Sequence, residues 1–157
     1  MYNLIGLPIL AMPALIFVYG TLKQGFPNHA LNPGRRVGGT YRTREALPLY
    51  VVRLPGEARA PWLVDQPGHG HRVTGQVFEV DAATLQAMDA FEEVGLPTGY
   101  VRVEIELEAL DAPAPPLRAH AYLKPPHQLA DCLAREGPFA EYTLALARGY
   151  WLTRPEV

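Results

Sequence analysis

The chain has 157 residues, of which 48% are hydrophobic and 19% are charged, as in one domain with a buried core. Its formal net charge is -2 and no run of lysine or arginine occurs, which argues against nucleic acid as a partner. The single cysteine, Cys132, excludes an internal disulfide framework and a multi-cysteine zinc site, and it favours a cytoplasmic location.

The N-terminal segment is apolar, but it lacks the pattern of a signal peptide or a membrane span. No charged residue precedes Lys23, and Gly6, Pro8 and Pro13 interrupt the apolar stretch. A secretory signal has a basic start before an unbroken apolar region, and a membrane span needs about 20 apolar residues. We therefore predict an N-terminal extension over residues 1–11, a single domain over residues 12–157, and no membrane partner.

The first half of the chain is predicted to be mostly β-structure. Residues 14–19 form a continuous apolar run that ends at Gly20 and Thr21, which is typical of a strand buried on both faces. A segment rich in glycine, proline and asparagine follows it. Further short strands are predicted over 39–42, Leu49–Arg53, 62–65 and 72–80.

The second half contains the clearest helix and strand patterns. Asp81 is placed to cap a helix over 82–94 that Gly95 would end. Apolar and charged residues alternate over 101–108, which predicts a strand with one face in water. After a proline-rich loop, Leu117–Leu123 is predicted to pair with that strand as an antiparallel hairpin. Helices over 128–135 and 138–148, the latter between Pro138 and Gly149, complete an α+β domain on a curled, mostly antiparallel sheet.

The predicted helix 82–94 carries a glutamate on its apolar side. Leu85, Met88 and Phe91 form the apolar stripe, and at roughly 100° per residue Glu92 lies about 40° from its centre while Glu93 lies about 140° away. A carboxylate among core side chains pairs with a cation or has a raised pKa. The helical pattern alone leaves two interpretations open: a structural ion pair, with Arg102 the expected partner, and a functional acid.

The turn after the first strand is the second unusual element. Glycine has no Cβ, so a backbone at Gly20 can pass close to a ligand. Successive backbone amides in such a turn can bind an anion or a carbonyl oxygen. An ordinary connecting turn is the alternative.

Three further features are interpreted as structural. His69 and His71 have no apparent third ligand, so surface imidazoles and no metal site are expected. Cys132 lies on the apolar face of the predicted helix 128–135, where a buried, inert thiol is expected. Lys23 is expected to be solvated, the alternative being that it steers a substrate carboxylate.

In order along the chain, these segments resemble the γ-glutamylcyclotransferase superfamily, and within it the γ-glutamylamine cyclotransferase (AIG2-like) branch. The resemblance covers most of residues 14–138. Its motifs are Phe17-Val-Tyr-Gly-Thr-Leu-Lys23, Pro27-Asn-His29, Leu47-Pro-Leu49, Pro61-Trp-Leu63, Gly68-His-Gly-His-Arg-Val-Thr-Gly75, Phe78-Glu-Val80, Asp89-Ala-Phe-Glu-Glu93, Tyr100-Val-Arg102 and Glu136-Gly-Pro138. The stretch 94–99 looks longer than in the animal γ-glutamylamine enzymes, which leaves the rim of the cavity and the leaving group open.

The resemblance implies a small mixed, mostly antiparallel β-barrel with flanking helices around a cavity. Glu92 occupies the position of the family's catalytic glutamate. The residues in the position of its substrate-cradling loop are Tyr19, Gly20, Thr21 and Leu22. Two further residues are expected to line the cavity, Tyr100 and Tyr122.

The implied activity is intramolecular: the α-amine of a γ-glutamyl amide attacks its own γ-carbonyl, releasing 5-oxoproline and a free amine. Because the nucleophile belongs to the substrate, a small γ-glutamyl compound is the expected partner, and no cofactor, metal or obligate protein partner is expected. Glu92 is expected to act as general acid and base. Two alternatives stay open: a non-catalytic pocket protein that binds a γ-glutamyl-like ligand or a partner, and a cyclotransferase for γ-glutamyl amino acids or glutathione.

Overall fold

The computed structural model describes residues 13–56 and 59–153, so the predicted N-terminal extension over residues 1–11 lies outside the described residues. The elements in chain order are β1 (Ala14–Val18), β2 (Arg35–Thr43), β3 (Leu49–Arg53), β4 (Ala60–Leu63), β5 (Thr74–Val80), α1 (Ala82–Phe91), β6 (Val101–Ala109), β7 (Leu117–Leu123), β8 (Ala134–Phe139) and α2 (Leu144–Thr153). Short 3-10 turns lie at His29–Leu31 and Pro126–Asp131. Within these described ranges no helix is long and apolar enough to cross a membrane.

Five of the described strands close into a barrel in the order β1-β5-β2-β6-β7. Neighbouring strands are antiparallel, except that β7 pairs with β1 in parallel through Ile16 and His120. Alternate side chains point inward along such strands, and Phe17, Val77 and Leu107 are among those that fill the core. The predicted α+β class with a small, mostly antiparallel barrel is confirmed.

A second sheet, in the order β4-β3-β8, shares the barrel's core. One face contributes buried side chains such as Leu49 and Leu63 to the cluster that contains Phe17. On the other face Trp62 belongs to a smaller cluster, against which Tyr100 and Cys132 pack. This sheet therefore carries Pro61 and Trp62 to the end of the barrel at which β1 finishes.

Helix α1 begins as predicted and ends earlier than predicted. The Asp81 carboxylate accepts a hydrogen bond from the Thr84 amide at 2.7 Å, which confirms the N-cap. The helix stops at Phe91 rather than at residue 94, because the chain reverses at Glu93, whose φ of 57° is left-handed. The amides of Glu93 and Val94 donate to the carbonyls of Ala90 and Asp89 at 3.1 and 3.0 Å, the bonds of a Schellman ending.

The predicted helix over 128–135 is wrong, and the helix predicted over 138–148 is confirmed only from Leu144 onward. A 3-10 turn occupies Pro126–Asp131 and strand β8 follows it, pairing antiparallel with β3. β8 lies at the edge of its sheet, where Pro138 is tolerated because one side of the strand needs no amide donor. Helix α2 begins only at Leu144, where the Leu146 amide donates to the Thr143 hydroxyl oxygen at 3.3 Å, and it continues through Gly149.

Candidate active site

A cavity of about 230 Å³ opens where β1 ends, between helix α1 and strand β4. All seven residues that the sequence placed in or around a site line it: Tyr19, Gly20, Thr21, Leu22, Glu92, Tyr100 and Tyr122. Asn28, Pro61 and Met88 also line it and were not predicted as site residues. Asn28 and Pro61 lie in motifs on which the family resemblance rests, and that resemblance could have indicated them as site residues.

The segment from Tyr19 to Leu22 forms a tight turn held by its neighbours. The Lys23 amide donates to the Gly20 carbonyl at 3.1 Å, and the Asn28 amide donates to the Thr21 carbonyl at 2.8 Å. The Asn28 side-chain amide also donates to the Thr21 hydroxyl oxygen at 3.1 Å. In the described part of the chain, no backbone carbonyl accepts from the amides of Thr21 and Leu22, so these two donors can bind a ligand oxygen.

Gly20 is required by the close approach of strand β4. A Cβ atom at this position would lie 2.7 Å from Cγ of Pro61, closer than carbon atoms pack in proteins. The turn after β1 therefore rests against Pro61, and its backbone forms one wall of the cavity.

Glu92 is the half-buried residue directly after the last turn of α1, and it lines the cavity. Its backbone is fixed on both sides, because its amide donates to the Met88 carbonyl at 2.9 Å and its carbonyl accepts from the Tyr100 amide at 3.0 Å. Burial raises the pKa of Glu92 to about 7, with the charge of Glu93 adding to the effect and that of Lys124 opposing it. A carboxyl group with this pKa can both accept and donate a proton near neutral pH.

The structural ion pair between Glu92 and Arg102, one of the two interpretations left open by the helical pattern, is not observed. The Arg102 Nε instead lies 2.9 Å from Oδ1 of Asp89, one turn earlier on α1. The same Asp89 oxygen accepts from the hydroxyl of Tyr122 at 2.7 Å. Arg102 thus neutralises Asp89, and Glu92 is left facing the cavity.

The positive charge of Lys124 lowers the pKa of Glu92, and no sequence pattern predicted this residue near the site. Its side chain is only 5% exposed and its ammonium lies 4.6 and 4.3 Å from the ring centres of Trp62 and Tyr100. The ammonium donates to the Thr98 carbonyl at 2.7 Å and to Oε1 of Gln128 at 3.0 Å. These contacts hold the segment after Glu92 against the second sheet.

Two tyrosine hydroxyls tie the cavity walls together. The buried Tyr19 donates to the carbonyl of Tyr122 at 2.7 Å, which links the end of β1 to β7. Burial raises the pKa of Tyr19, and Glu92 adds to this. Burial and the bond to Asp89 likewise raise the pKa of Tyr122, so both hydroxyls stay protonated and can serve as hydrogen-bonding groups.

Two side chains differ from their predicted surroundings. Lys23 was expected in water, but it is 5% exposed, donates to the Tyr142 carbonyl at 2.6 Å and lies 4.1 Å from the ring centre of Phe26. Burial lowers its pKa to about 8. Cys132 follows a 3-10 turn rather than lying in a helix, and it is partly buried; burial raises its pKa, which does not favour a reactive thiolate.

His69 and His71 are not among the residues that line the cavity. His69 and His71 are exposed, as predicted. Among the residues that the structure describes, no group of three or more histidine, cysteine, aspartate or glutamate side chains is arranged to hold a metal ion.

Comparisons with known proteins identify relatives of this chain in sequence and in fold. The γ-glutamylaminecyclotransferase of Rattus norvegicus is 42% identical over 103 residues, covering 62% of this chain and 66% of the rat protein. That of Homo sapiens is 40% identical over 104 residues, covering 65% and 67%. The alignments thus span about two thirds of these relatives. The crystal structure of an AIG2-like protein from Mus musculus has a TM-score of 0.66 at 34% identity, covering 83% of this chain and 88% of the mouse chain.

A family model agrees with these pairwise matches over a longer stretch. Residues 16–143 match the model described as gamma-glutamyl cyclotransferase, AIG2-like. The matched range contains every barrel strand except the first two residues of β1, and it contains the whole cavity lining. The chain therefore belongs to the AIG2-like γ-glutamylcyclotransferase family.

Proposed function

We propose that this protein is a cofactor-free γ-glutamylamine cyclotransferase. In the reaction the α-nitrogen of a γ-glutamyl amide forms a bond to the γ-carbonyl carbon, and the bond from that carbon to the leaving nitrogen breaks. The α-ammonium gives up two protons and the leaving amine gains two, so the products are 5-oxoproline and an ammonium ion without any co-reactant. Relatives that bear the name γ-glutamylaminecyclotransferase support this choice of substrate class.

The first task of the cavity is to fold the substrate. An extended γ-glutamyl chain must bend until its α-nitrogen faces its γ-carbonyl, and holding reacting groups together in this way can lower a barrier by about 7 kcal/mol or more. The small cavity between α1 and the turn after β1 suits a folded glutamyl group. The amides of Thr21 and Leu22 would bind the α-carboxylate or the oxygen that becomes negative during attack.

The second task is proton transfer, which we assign to Glu92. As carboxylate it takes a proton from the α-ammonium, and as carboxylic acid it gives one to the leaving nitrogen. Such a group contributes about 10²- to 10⁴-fold to a rate, most effectively when its pKa lies near the working pH. The pKa of about 7 at Glu92 meets this requirement.

The other cavity residues are assigned supporting roles. Tyr19 secures the turn by its bond to β7, and Tyr122, held by Asp89, lines the cavity, as does Tyr100. We further place the reaction in the cytoplasm, because a chain with one cysteine suits a reducing compartment. The observation that carries the proposal is the half-buried Glu92 lining the same cavity as the turn from Tyr19 to Leu22.

A substrate panel with a matched pair of variants tests the proposal. The wild-type protein is incubated with ε-(γ-glutamyl)-lysine, γ-glutamyl-alanine and glutathione, and 5-oxoproline is measured. We expect release from the γ-glutamylamine, its loss in Glu92→Gln, and its retention in Glu93→Gln, which removes the exposed neighbouring carboxylate. Substantial release by Glu92→Gln would contradict the assigned role, and binding without release by the wild type would favour a non-catalytic pocket protein.

A further inference from the structure

Lys23 is a buried cation that the proposed chemistry does not use. It follows the turn over residues 19–22 directly, is 5% exposed and is not among the residues that line the cavity. Burial lowers the pKa of Lys23 to about 8, and the charge of Glu141 opposes this effect. Removing an ammonium from water costs free energy, and an apolar side chain of similar length would avoid that cost. The presence of a lysine here is therefore best explained by the contacts of its ammonium.

The ammonium of Lys23 attaches the turn to the segment between β8 and α2. It donates to the carbonyl of Tyr142 at 2.6 Å, and Tyr142 is itself 1% exposed. It also lies 4.1 Å from the ring centre of Phe26, which is 5.9 Å from the ring centre of Tyr142. A hydrogen bond from a charged donor is stronger than a neutral one, and burial shields it from competing water. This bond is named the docking bond below.

The other backbone bonds of the turn fix its shape. The Lys23 amide donates to the Gly20 carbonyl and the Asn28 amide donates to the Thr21 carbonyl, and both bonds lie within residues 20–28. They would stay intact if this segment shifted as a unit. The position of the turn relative to helix α1 therefore depends on contacts with other elements, of which the docking bond is one.

The contacts of this segment with other elements differ in their exposure to water. The Gln24 amide donates to Oε1 of Gln76 at 2.8 Å, and Oε1 of Gln24 accepts from Arg36 at 3.0 Å, but both bonds are exposed. Water competes for exposed hydrogen bonds, so these hold the segment weakly. The contact of Gly20 with Pro61 blocks movement towards β4 but does not attach the turn. The docking bond is buried at both ends, so it restrains the segment more strongly.

We propose that Lys23 is a positioning residue, because its docking bond fixes the amides of Thr21 and Leu22 at their distance from Glu92. The inference rests on the proposed function, in which these amides bind the substrate and Glu92 transfers its protons. It also gives the segment at Tyr142 a part in the reaction, although Tyr142 is not among the residues that line the cavity. Because a displacement of about 1 Å can lower a rate about 100-fold, removing the docking bond should lower kcat/KM by about 10- to 100-fold.

The single cysteine of the chain permits a matched chemical test. Cys132→Ser gives a background without thiols, and Lys23→Cys in that background places one thiol after the turn. Alkylation in urea with bromoethylamine restores an ammonium at the length of lysine, and alkylation with propyl iodide gives a side chain of that length without charge. Both forms are refolded, as is Cys132→Ser itself, and kcat/KM is measured by release of 5-oxoproline from ε-(γ-glutamyl)-lysine.

The aminoethyl form should reach the kcat/KM of Cys132→Ser within about threefold, and the propyl form should fall about 10- to 100-fold below it. Urea unfolding should show that both forms are folded under the assay conditions. Should the propyl form not refold, Lys23→Met, expressed without refolding, gives the same comparison with the wild type. As a control, Gln24→Ala removes the exposed bond from Arg36 and should change kcat/KM by less than about twofold. Equal kcat/KM in the two alkylated forms, or in Lys23→Met and the wild type, would overturn the inference.

Amide NMR relaxation separates positioning of the turn from a merely structural role. The amides of Thr21 and Leu22 should have order parameters of about 0.85 in the aminoethyl form and should fall towards about 0.6 in the propyl form, while those of helix α1 stay unchanged. If Cys132→Ser releases 5-oxoproline and both alkylated forms match it, the proposed function stands and Lys23 is not a positioning residue. If the wild type releases no 5-oxoproline from any γ-glutamyl amide, the proposed function fails and this inference fails with it.

Discussion

Replacing Glu92 by glutamine is expected to stabilise the fold at pH 8 while it removes cyclisation. Burial raises the pKa of Glu92 from its ordinary value of 4.5 to about 7, and one pKa unit of difference between folded and unfolded states is worth about 1.4 kcal/mol. The ionised carboxylate therefore destabilises the folded state by about 3 kcal/mol at most. Since Glu92 keeps some contact with water, Glu92→Gln is expected to increase the free energy of unfolding at pH 8 by about 1 to 3 kcal/mol.

The expected gain depends on pH in a definite direction. Because the folded-state pKa is the higher one, the folded protein holds an extra proton between pH 4.5 and about 7. The favourable contribution of the protonated group is complete below the unfolded-state pKa and is lost as the pH rises through about 7. Glu92→Gln should therefore exceed the wild type in stability by less at pH 5 than at pH 8.

Urea unfolding at pH 5 and pH 8 measures this difference, with the fluorescence of the buried Trp62 as a reporter. Glu93→Gln, which removes a neighbouring exposed carboxylate, serves as the control. If Glu92→Gln differs from the wild type by the same free energy at both pH values, or is less stable at pH 8, then Glu92 is not held in a desolvated state. The basis for its assigned role in proton transfer would be lost with it.

Two further substitutions test the surroundings of Glu92. Lys124→Met should shift the acid limb of the pH profile of kcat/KM to higher pH by about one unit, because the cation that lowers the pKa of Glu92 is removed. The other groups that face Glu92, namely Tyr19, Tyr122 and Glu93, are unchanged. Lys124→Arg keeps the charge and is the control, and an unshifted limb in Lys124→Met would refute the coupling. Glu93→Gly should increase the free energy of unfolding by about 1 kcal/mol relative to Glu93→Ala, since glycine relieves the left-handed backbone at φ 57°, and equal urea midpoints for these two variants would contradict the strain.

The elements predicted correctly are those whose evidence is local. The alternation over 101–108 predicts β6, because the two faces of a strand can be recognised from side chains two residues apart. The proline-rich loop and the second predicted strand, Leu117–Leu123, then predict the pairing of β6 with β7. The cap at Asp81 is equally local. Strand β8 was missed because Pro138 resembles a helix start, whereas its strand character comes from pairing with β3, which lies far away in sequence.

The candidate site was predictable only in part, for the same reason. The inward position of Glu92 follows from helical periodicity, and the turn at Gly20 follows from the residue type. The charge of Lys124 acts on Glu92 because closure of the barrel brings the end of β7 close to the end of α1. No local sequence pattern predicts this proximity. Lys23 was expected in water because a lysine ammonium is usually solvated, but its ammonium donates to the Tyr142 carbonyl.

The end of helix α1 explains why a single glutamate can have a pKa near neutrality. The carboxylate is partly removed from water, which is the main cause of its raised pKa, and it lies at the C-terminal end of a helix, where backbone carbonyls also make a negative charge unfavourable. The Schellman ending that puts it there requires a left-handed Glu93, so backbone strain is concentrated next to the proposed acid. The positive charge of Lys124 opposes these effects, and without it the pKa of Glu92 would be higher. Substitutions that relieve any of these costs should stabilise the protein and move Glu92 away from the pKa at which it transfers protons best.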